Sequence, residues 1–132
     1  MRSEDDGQAI IEFALVLPVL LLAAFAIVVV TEIGITRLAL QHATAEGARA
    51  GALTNDDDAI RATVVAAAAP LSAREVTTEV DPPAYEPPRN GDPRGSLLTV
   101  RAMYDVELPL GLIGLPHVTV TAAAVRRIEW TP

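Results

Sequence analysis

The sequence contains no cysteine and no lysine, and only 4% of its residues are aromatic. Without cysteine, disulfide bonds and thiolate metal sites are excluded, although the redox compartment stays open because exported bacterial domains also form without disulfides. All ten basic residues are arginines, and they stand against 17 acidic residues spread along the chain, which leaves a net charge of −7. No basic patch is concentrated enough to indicate nucleic acid as a partner.

The common signatures of catalysis and ligand binding are also missing. The sequence has no nucleophile elbow, phosphate-binding loop, HExxH helix or paired-carboxylate arrangement. Its two histidines, His42 and His117, have no evident companions for a metal site. We therefore predict no enzyme activity, no catalytic residue, no metal or other cofactor, and no small-molecule substrate.

One long apolar run dominates what is present. Apolar residues make up 51% of the chain, and the stretch from Phe13 to Val30 contains no charged or polar side chain. As a helix this stretch is about 27 Å long, close to the roughly 30 Å of hydrocarbon in a bilayer. It predicts a single membrane-spanning helix. Because the run is longer than the apolar region of a signal peptide and continues into helix-compatible sequence, we expect it to be retained.

Two residues give this apolar helix a special character. Pro18 lacks a backbone N–H and its ring clashes with the preceding turn, so we expect a kink there; a tolerated proline without a role is the alternative. Glu12 places a carboxylate at the edge of the membrane segment, where an ionised group is costly. An acidic residue in this position indicates a function beyond anchoring.

The residues before and after Glu12 form a known pattern. Gly7, four further residues, Glu12 and Phe13 stand at the head of the apolar helix, and this spacing resembles the processing site of type IV prepilins. The resemblance implies that a prepilin peptidase cuts between Gly7 and Gln8. It also implies that Glu12, the fifth residue of the mature chain, acts in assembly together with Phe13.

More of the chain resembles the TadE-like family, small pilin-like proteins of tight-adherence (Flp-type) pilus systems. The similar segments are 12–18 (EFALVLP), 45–50 (AEGARA) and 122–129 (AAAVRRIE). The resemblance implies a minor pilin or pseudopilin that is processed by prepilin peptidase. It also implies partners: other pilin-like subunits, an assembly platform and a secretion ATPase. The acidic head before Gly7 departs from the basic leaders that are more common in such proteins.

The resemblance also sets the expected location. We expect a single-pass protein of the bacterial inner membrane with a cytoplasmic N-terminus and an extracytoplasmic C-terminal domain, and the pilus is a further expected location. The alternative is a permanently membrane-anchored binding or adhesin module whose loop 81–96 contacts a surface. A major filament subunit is disfavoured because, by the resemblance, such subunits are much shorter.

Beyond the apolar run, helix-forming residues continue to about Leu53 and predict a stalk. Small side chains recur every four positions along it, at Ala39, Ala43, Gly47 and Gly51. Such a column lets another backbone approach closely. The approaching element is either a neighbouring helix or the domain's own sheet, and we favour the sheet.

The remaining residues predict a second helix and three strands. Residues 54–58 (TNDDD) end the stalk and begin the second helix, with Asn55 or Thr54 as its N-cap; a calcium loop is disfavoured because its ligand spacing is missing. Alternation of polar and apolar residues predicts strands over 75–80, over 98–108 and from residue 118 onward. Arg126 interrupts the apolar phase of the last strand, through either a bulge or a strand end beyond the covered sheet.

Two connecting segments differ in composition. Residues 81–96 hold five of the ten prolines and predict an extended polar loop with little packing. Residues 109–116 are apolar, and we expect them to fold under the sheet, with an exposed patch as the alternative.

The predicted fold is therefore α+β, with a long N-terminal transmembrane and stalk helix, a second short helix and a small antiparallel sheet of about three strands. We expect a prepilin-type leader over residues 1–7 and a transmembrane and stalk helix over 8–53. Residues 54–132 then form a small extracytoplasmic domain that includes the proline-rich loop 81–96.

Overall fold

The computed structural model describes residues 2–110 and 114–132, without the side chains of residues 2–6, 109, 110, 115 and 116. The predicted α+β fold is confirmed. Most side chains of the apolar segment 109–116 lie outside the described residues, and so does the prediction of their burial. The elements are α1 (Arg2–Thr54), α2 (Asp57–Ala67), β1 (Thr77–Asp81), β2 (Leu97–Leu110) and β3 (Leu115–Arg127).

The chain divides into two compact units, Met1–Glu32 and Ile33–Pro132, and α1 contributes to both. In the first unit the large apolar side chains are exposed, as at Leu15 (70%) and Val30 (69%). The most apolar window of α1 has a mean hydropathy of 3.1 and no buried residue. By length and composition α1 is able to cross a membrane, which is consistent with a single-pass membrane protein.

The end of α1 is set by two features of the backbone. Asn55 has a left-handed conformation with φ of 52°, which an L-residue rarely adopts and which asparagine tolerates better than most, and its N–H donates to the Gly51 carbonyl at 2.9 Å. The C-terminal segment then supplies donors to the last turn, because the N–H groups of Glu129 and Trp130 both donate to the Ala52 carbonyl. The orphan carbonyls of the helix end are thereby partly satisfied.

The N-cap of α2 is Asp56, so the prediction of Asn55 or Thr54 as the cap is wrong. Asp56 has extended backbone angles, and its carboxylate accepts from the N–H of Asp58 at 2.9 Å. Asn55 is unable to serve because its left-handed conformation already closes α1. The acid-rich junction therefore caps the helix, as expected, from a position one residue later.

The three strands form one antiparallel sheet in the order β1-β2-β3. The β2–β3 ladder keeps one register from Leu97 opposite Arg127 to Glu107 opposite His117, and shifts only between Glu107 and Leu110. Along β2 the side chains alternate between a buried and an outward face, as the sequence pattern predicted. The buried residues of β2 are Leu98, Val100, Ala102, Val106 and Leu108.

The core of the second unit lies between the later part of α1, helix α2 and the inner face of the sheet. Ile60 and Val64 of α2 are fully buried, and Val120 and Ala122 of β3 are nearly so. From α1 the core receives mostly small side chains. They are Ala43, Thr44, Gly47, Ala48, Gly51 and Ala52, together with Leu40.

Arg126 is exposed without any bulge in its strand. It stands opposite Leu98 in an unshifted register, and Leu98 is fully buried. Ile128, the next residue of the same phase, is fully buried again, and the N–H groups of Glu129 and Trp130 donate to the Ala52 carbonyl of α1. The chain therefore stays against α1 past Arg126, so neither predicted explanation, a bulge or a strand end beyond the covered sheet, is observed.

Candidate functional site

The predicted processing site lies in the first unit, on a continuous stretch of α1. Gly7 is exposed, and no heavy atom lies within 4 Å of the position that a Cβ atom would take there. One turn later the Gln8 side-chain amide donates to the Glu12 carboxylate at 3.4 Å. Gln8 and Glu12 therefore share one face of the helix, as an i,i+4 pair does.

Glu12 and Phe13 are both exposed. Phe13 is 63% exposed, and within the described residues Glu12 has no basic partner. A carboxylate next to an apolar helix surface leaves at least one oxygen free to accept a charge-assisted hydrogen bond. The two side chains thus form a mixed acidic and apolar surface that nothing in the same unit covers.

Pro18 lies inside α1, which continues as a helix on both sides of it. A proline in the interior of a helix removes one backbone hydrogen bond. The predicted kink at this position stays a prediction.

The column of small residues lies in the second unit, where it meets the domain's own core. A Cβ atom on Gly51 would stand 2.5 Å from Leu98 Cδ2 and 2.6 Å from Ile60 Cδ1, and one on Gly47 would overlap Val64 Cγ2. Ala43 is buried, and Ala39 is half-buried. At Gly47 and Gly51 the close approach therefore serves α2 and β2, which leaves no space there for a neighbouring helix.

Sequence reasoning missed Arg89, the largest fully buried side chain of the described chain. Its Nε donates to Asn55 Oδ1 at 2.9 Å, and its Nη1 donates to Asp57 Oδ1 at 2.5 Å and to the Pro82 carbonyl at 2.7 Å. In return, the Asn55 Nδ2 donates to the backbone carbonyl of Arg89 at 3.0 Å. The other oxygen of Asp57 accepts from the N–H of Ala84.

This network corrects the prediction that loop 81–96 makes little packing. The Arg89 side chain is fully buried and that of Asp57 is 13% exposed, so the ion pair lies largely out of water. Pro93 is fully buried as well. The loop is consequently attached at the junction between α1 and α2, through partners that lie 32 and 34 residues away from Arg89 in the sequence.

The other acids at the junction also have structural partners. Asp56 caps α2, Asp57 binds Arg89, and Asp58 lies 3.5 Å from Arg61 in an exposed ion pair. Within the part of the chain that the structure describes, no group of three histidine, aspartate or glutamate side chains is placed to hold a metal ion. The junction is therefore a capping and pairing site.

Comparison with protein families gives one match at the start of the chain. The model of the TadE-like protein family matches residues 7–49, which confirms the resemblance inferred from the sequence and begins at Gly7. Comparisons with curated proteins and with solved structures give no match. The match indicates a protein associated with a tight-adherence pilus.

Proposed function

We propose that this chain, whose residues 7–49 match the TadE-like family, is a minor pilin or pseudopilin of a tight-adherence (Flp-type) pilus. A prepilin peptidase cuts after Gly7, and the mature chain begins at Gln8. The apolar helix stores the subunit in the bacterial inner membrane, with the N-terminus cytoplasmic and the α+β domain outside. Its partners are the peptidase, other pilin-like subunits and the assembly platform.

The observation that carries this proposal is the family match together with the residues at its start. The match begins at the glycine of the predicted cut and covers Glu12 and Phe13. Glycine suits a cleavage site because the peptidase meets a backbone without a side chain. The exposed position of Gly7, with nothing packed around it, supports access by an enzyme.

Cleavage creates a positive charge that is able to pair with the Glu12 carboxylate. The new amino terminus on Gln8 lies one helical turn before Glu12, and in a neighbouring subunit it is a cation able to meet the Glu12 carboxylate. In surroundings of low dielectric constant, opposite charges attract far more strongly than in water. The pair therefore fixes the position of one subunit against the next, and a subunit without it keeps an unpaired charge among apolar helices.

The proposal is tested by co-expressing the full chain with a prepilin peptidase and measuring its mass. We expect loss of residues 1–7, and no loss in the Gly7→Phe variant. Gly34→Phe is the matched control because Gly34 is also a helical glycine with no heavy atom within 4 Å of its Cβ position. An intact leader in the unaltered chain contradicts processing, and so does normal cleavage of Gly7→Phe.

One observation favours the alternative of a permanently anchored binding module. Tyr85 is 75% exposed on loop 81–96, and Arg89 attaches that loop to the domain through Asn55 and Asp57. An aromatic side chain held out on an attached loop suits contact with a surface. The two functions differ in their dependence on Glu12 and Tyr85. Adhesion that survives Glu12→Ala and is lost in Tyr85→Ala would favour the binding module.

A further inference from the structure

The end of the second unit at which α1 terminates carries a pocket lined by two arginines. Arg49 of α1 and Arg126 of β3 line it with Ala52, Leu53 and Glu129, around a volume of about 210 Å³. Within the described residues, neither guanidinium forms an ion pair. We call this the arginine pocket. Two guanidinium groups against the one carboxylate of Glu129 leave the pocket with net positive charge and provide donors for a further carboxylate.

The other end of the sheet carries a groove of the opposite charge. Its acidic residues are Glu75, Asp105 and Glu107, which lie with Arg74 and His117 around a volume of about 620 Å³. Among the residues that the structure describes, none of the three carboxylates is in an ion pair. We call this the acidic groove.

Tyr104 lies next to the acidic groove, and the groove's carboxylates affect its pKa. A hydrogen bond with Glu75 raises the pKa of Tyr104, and burial and the charges of Glu75 and Glu107 act in the same direction, against a smaller opposite effect from the Ser72 backbone. The three carboxylates of the groove, against the one guanidinium of Arg74, leave it with net negative charge.

The pocket and the groove lie at opposite ends of the unit, along the direction of α1. Gly51 faces Leu98 and Gly47 faces Val100, so β2 runs antiparallel to α1, and Glu107 lies toward the Ile33 end of the unit. Glu107 stands opposite His117, nine residues before Arg126 on β3. At about 3.3 Å per residue, this separates the two charged ends by roughly 30 Å.

We propose that the arginine pocket of one copy binds the Asp105 and Glu107 carboxylates of a second copy that is displaced by about one domain length along α1. Charge complementarity between the two ends identifies a second copy as the occupant. With a net charge of −7 the copies otherwise repel each other, so the arginine pocket is a specific point of attraction. A head-to-tail contact of this kind does not close on itself, so it joins two or more copies in a row.

This inference rests on the proposed pilin-like function. The contact belongs to assembled material, in which a minor pilin or pseudopilin meets further copies of itself.

Chemical cross-linking of the full chain tests the contact, because the sequence has no lysine. In Arg126→Lys, a carbodiimide couples the single lysine side chain to carboxylates that touch it. Pili are assembled from a mixture of ¹⁴N-labelled and ¹⁵N-labelled copies. We expect cross-linked peptides of mixed label that join residue 126 to Asp105 or Glu107 in sheared pili, and none of these in membranes from cells without the assembly ATPase.

Arg101→Lys is the matched control for the reagent. Arg101 lies 3.7 Å from Glu79 in the same domain, so its lysine gives a cross-link of unmixed label in both samples. Three results overturn the inference: cross-links of residue 126 confined to Glu129 of the same copy, cross-links to another protein, or absence of the chain from sheared pili. In each case the proposed function is still tested separately, by measuring cleavage after Gly7 and the effect of Glu12→Ala on piliation.

Charge reversal provides a second test in cells. We expect Arg49→Glu with Arg126→Glu to lose the pili, and the addition of Asp105→Arg with Glu107→Arg in the same chain to restore them. Arg127→Glu is the control, since Arg127 is exposed on the opposite face of β3. Normal piliation in the first variant overturns the inference, and so does a failure of restoration in a chain that is processed and folded.

Discussion

The two halves of helix α1 are packed differently: the first half is exposed, and one face of the second half is covered by its own domain. Before Glu32, large aliphatic side chains such as Leu15 and Val30 are about 70% exposed. After Ile33, the covered face consists of small residues, and Gly47 and Gly51 allow α2 and β2 to approach the helix backbone. The first half has an apolar surface with no partner in its own unit. The covered face of the second half is already packed against its own domain.

The contrast between the two halves shows where an external partner is needed. Exposed apolar surface of this extent is stabilised only by lipid or by other apolar helices. The second half gains its stability from burial within one chain, so it holds its structure without either. Substitutions in the two halves should therefore fail in different assays, one in assembly and the other in folding.

The largest effect is expected for Glu12→Ala in the first half. We predict that insertion into the membrane is unchanged and that pili are lost, because the amine of the neighbouring subunit has no carboxylate to meet. Electron microscopy counts the pili, and membrane fractionation measures insertion. Glu32→Ala is the matched control at the other end of the apolar run, and normal piliation in Glu12→Ala contradicts the assembly role.

The next largest effect is expected for Arg89→Met in the second half. Removal of one partner from a buried ion pair leaves Asp57 uncompensated and costs about 3–5 kcal/mol of unfolding free energy. Urea titration of the full chain in detergent, followed by the fluorescence of the single tryptophan Trp130, measures the change. The comparison is Arg101→Met, which removes an ion pair whose side chains are more than half exposed and costs at most about 1 kcal/mol. Equal costs for the two variants would show that the Arg89 network does not hold the loop.

Alanine at two glycines of α1 should change stability in opposite directions. Gly51→Ala places a methyl group against Leu98 and Ile60 and is expected to cost about 1–3 kcal/mol. Gly34→Ala meets no atom within 4 Å and should stabilise the helix by up to about 1 kcal/mol through propensity. The same urea titration measures both. A stabilising Gly51→Ala would mean that α2 and β2 do not lie against the glycine.

The smallest effect is expected at the cap of α2. Asp56→Ala removes the acceptor for the Asp58 N–H and should cost about 1 kcal/mol. Asp58→Ala is the control, because Asp58 contributes only an exposed ion pair with Arg61. If Asp58→Ala proves the more costly of the two variants, Asp56 is not the cap.

The sequence predicted the elements of the fold because their signals are local. The period-2 alternation of β2 located the strand to within one or two residues, and the hydropathy of residues 13–30 located the apolar part of α1. The N-cap of α2 was missed by one residue, since the choice depends on which of three polar residues adopts the left-handed conformation. That conformation belongs to Asn55, and residue type did not decide the matter because asparagine suits both a left-handed helix end and an N-cap.

The candidate site divides in the same way. Gly7, Glu12 and Phe13 were identified from their spacing along one helix. Arg89 was not identified, because its partner Asn55 is 34 residues away and proline-rich composition alone indicates a solvated loop. The arginine pocket was missed as well, since it unites Arg49 of a helix with Arg126 of a strand end.

The class of fold, the apolar segment and the resemblance at its head follow from the order of the amino acids, because each depends on residues close together in the chain. The folded structure was needed to show that Gly47 and Gly51 face their own domain, that the proline-rich loop is attached through a buried arginine, and that charge is separated between the two ends of the sheet. These features depend on contacts between residues far apart in sequence, and such contacts are fixed only when helix and sheet are packed together.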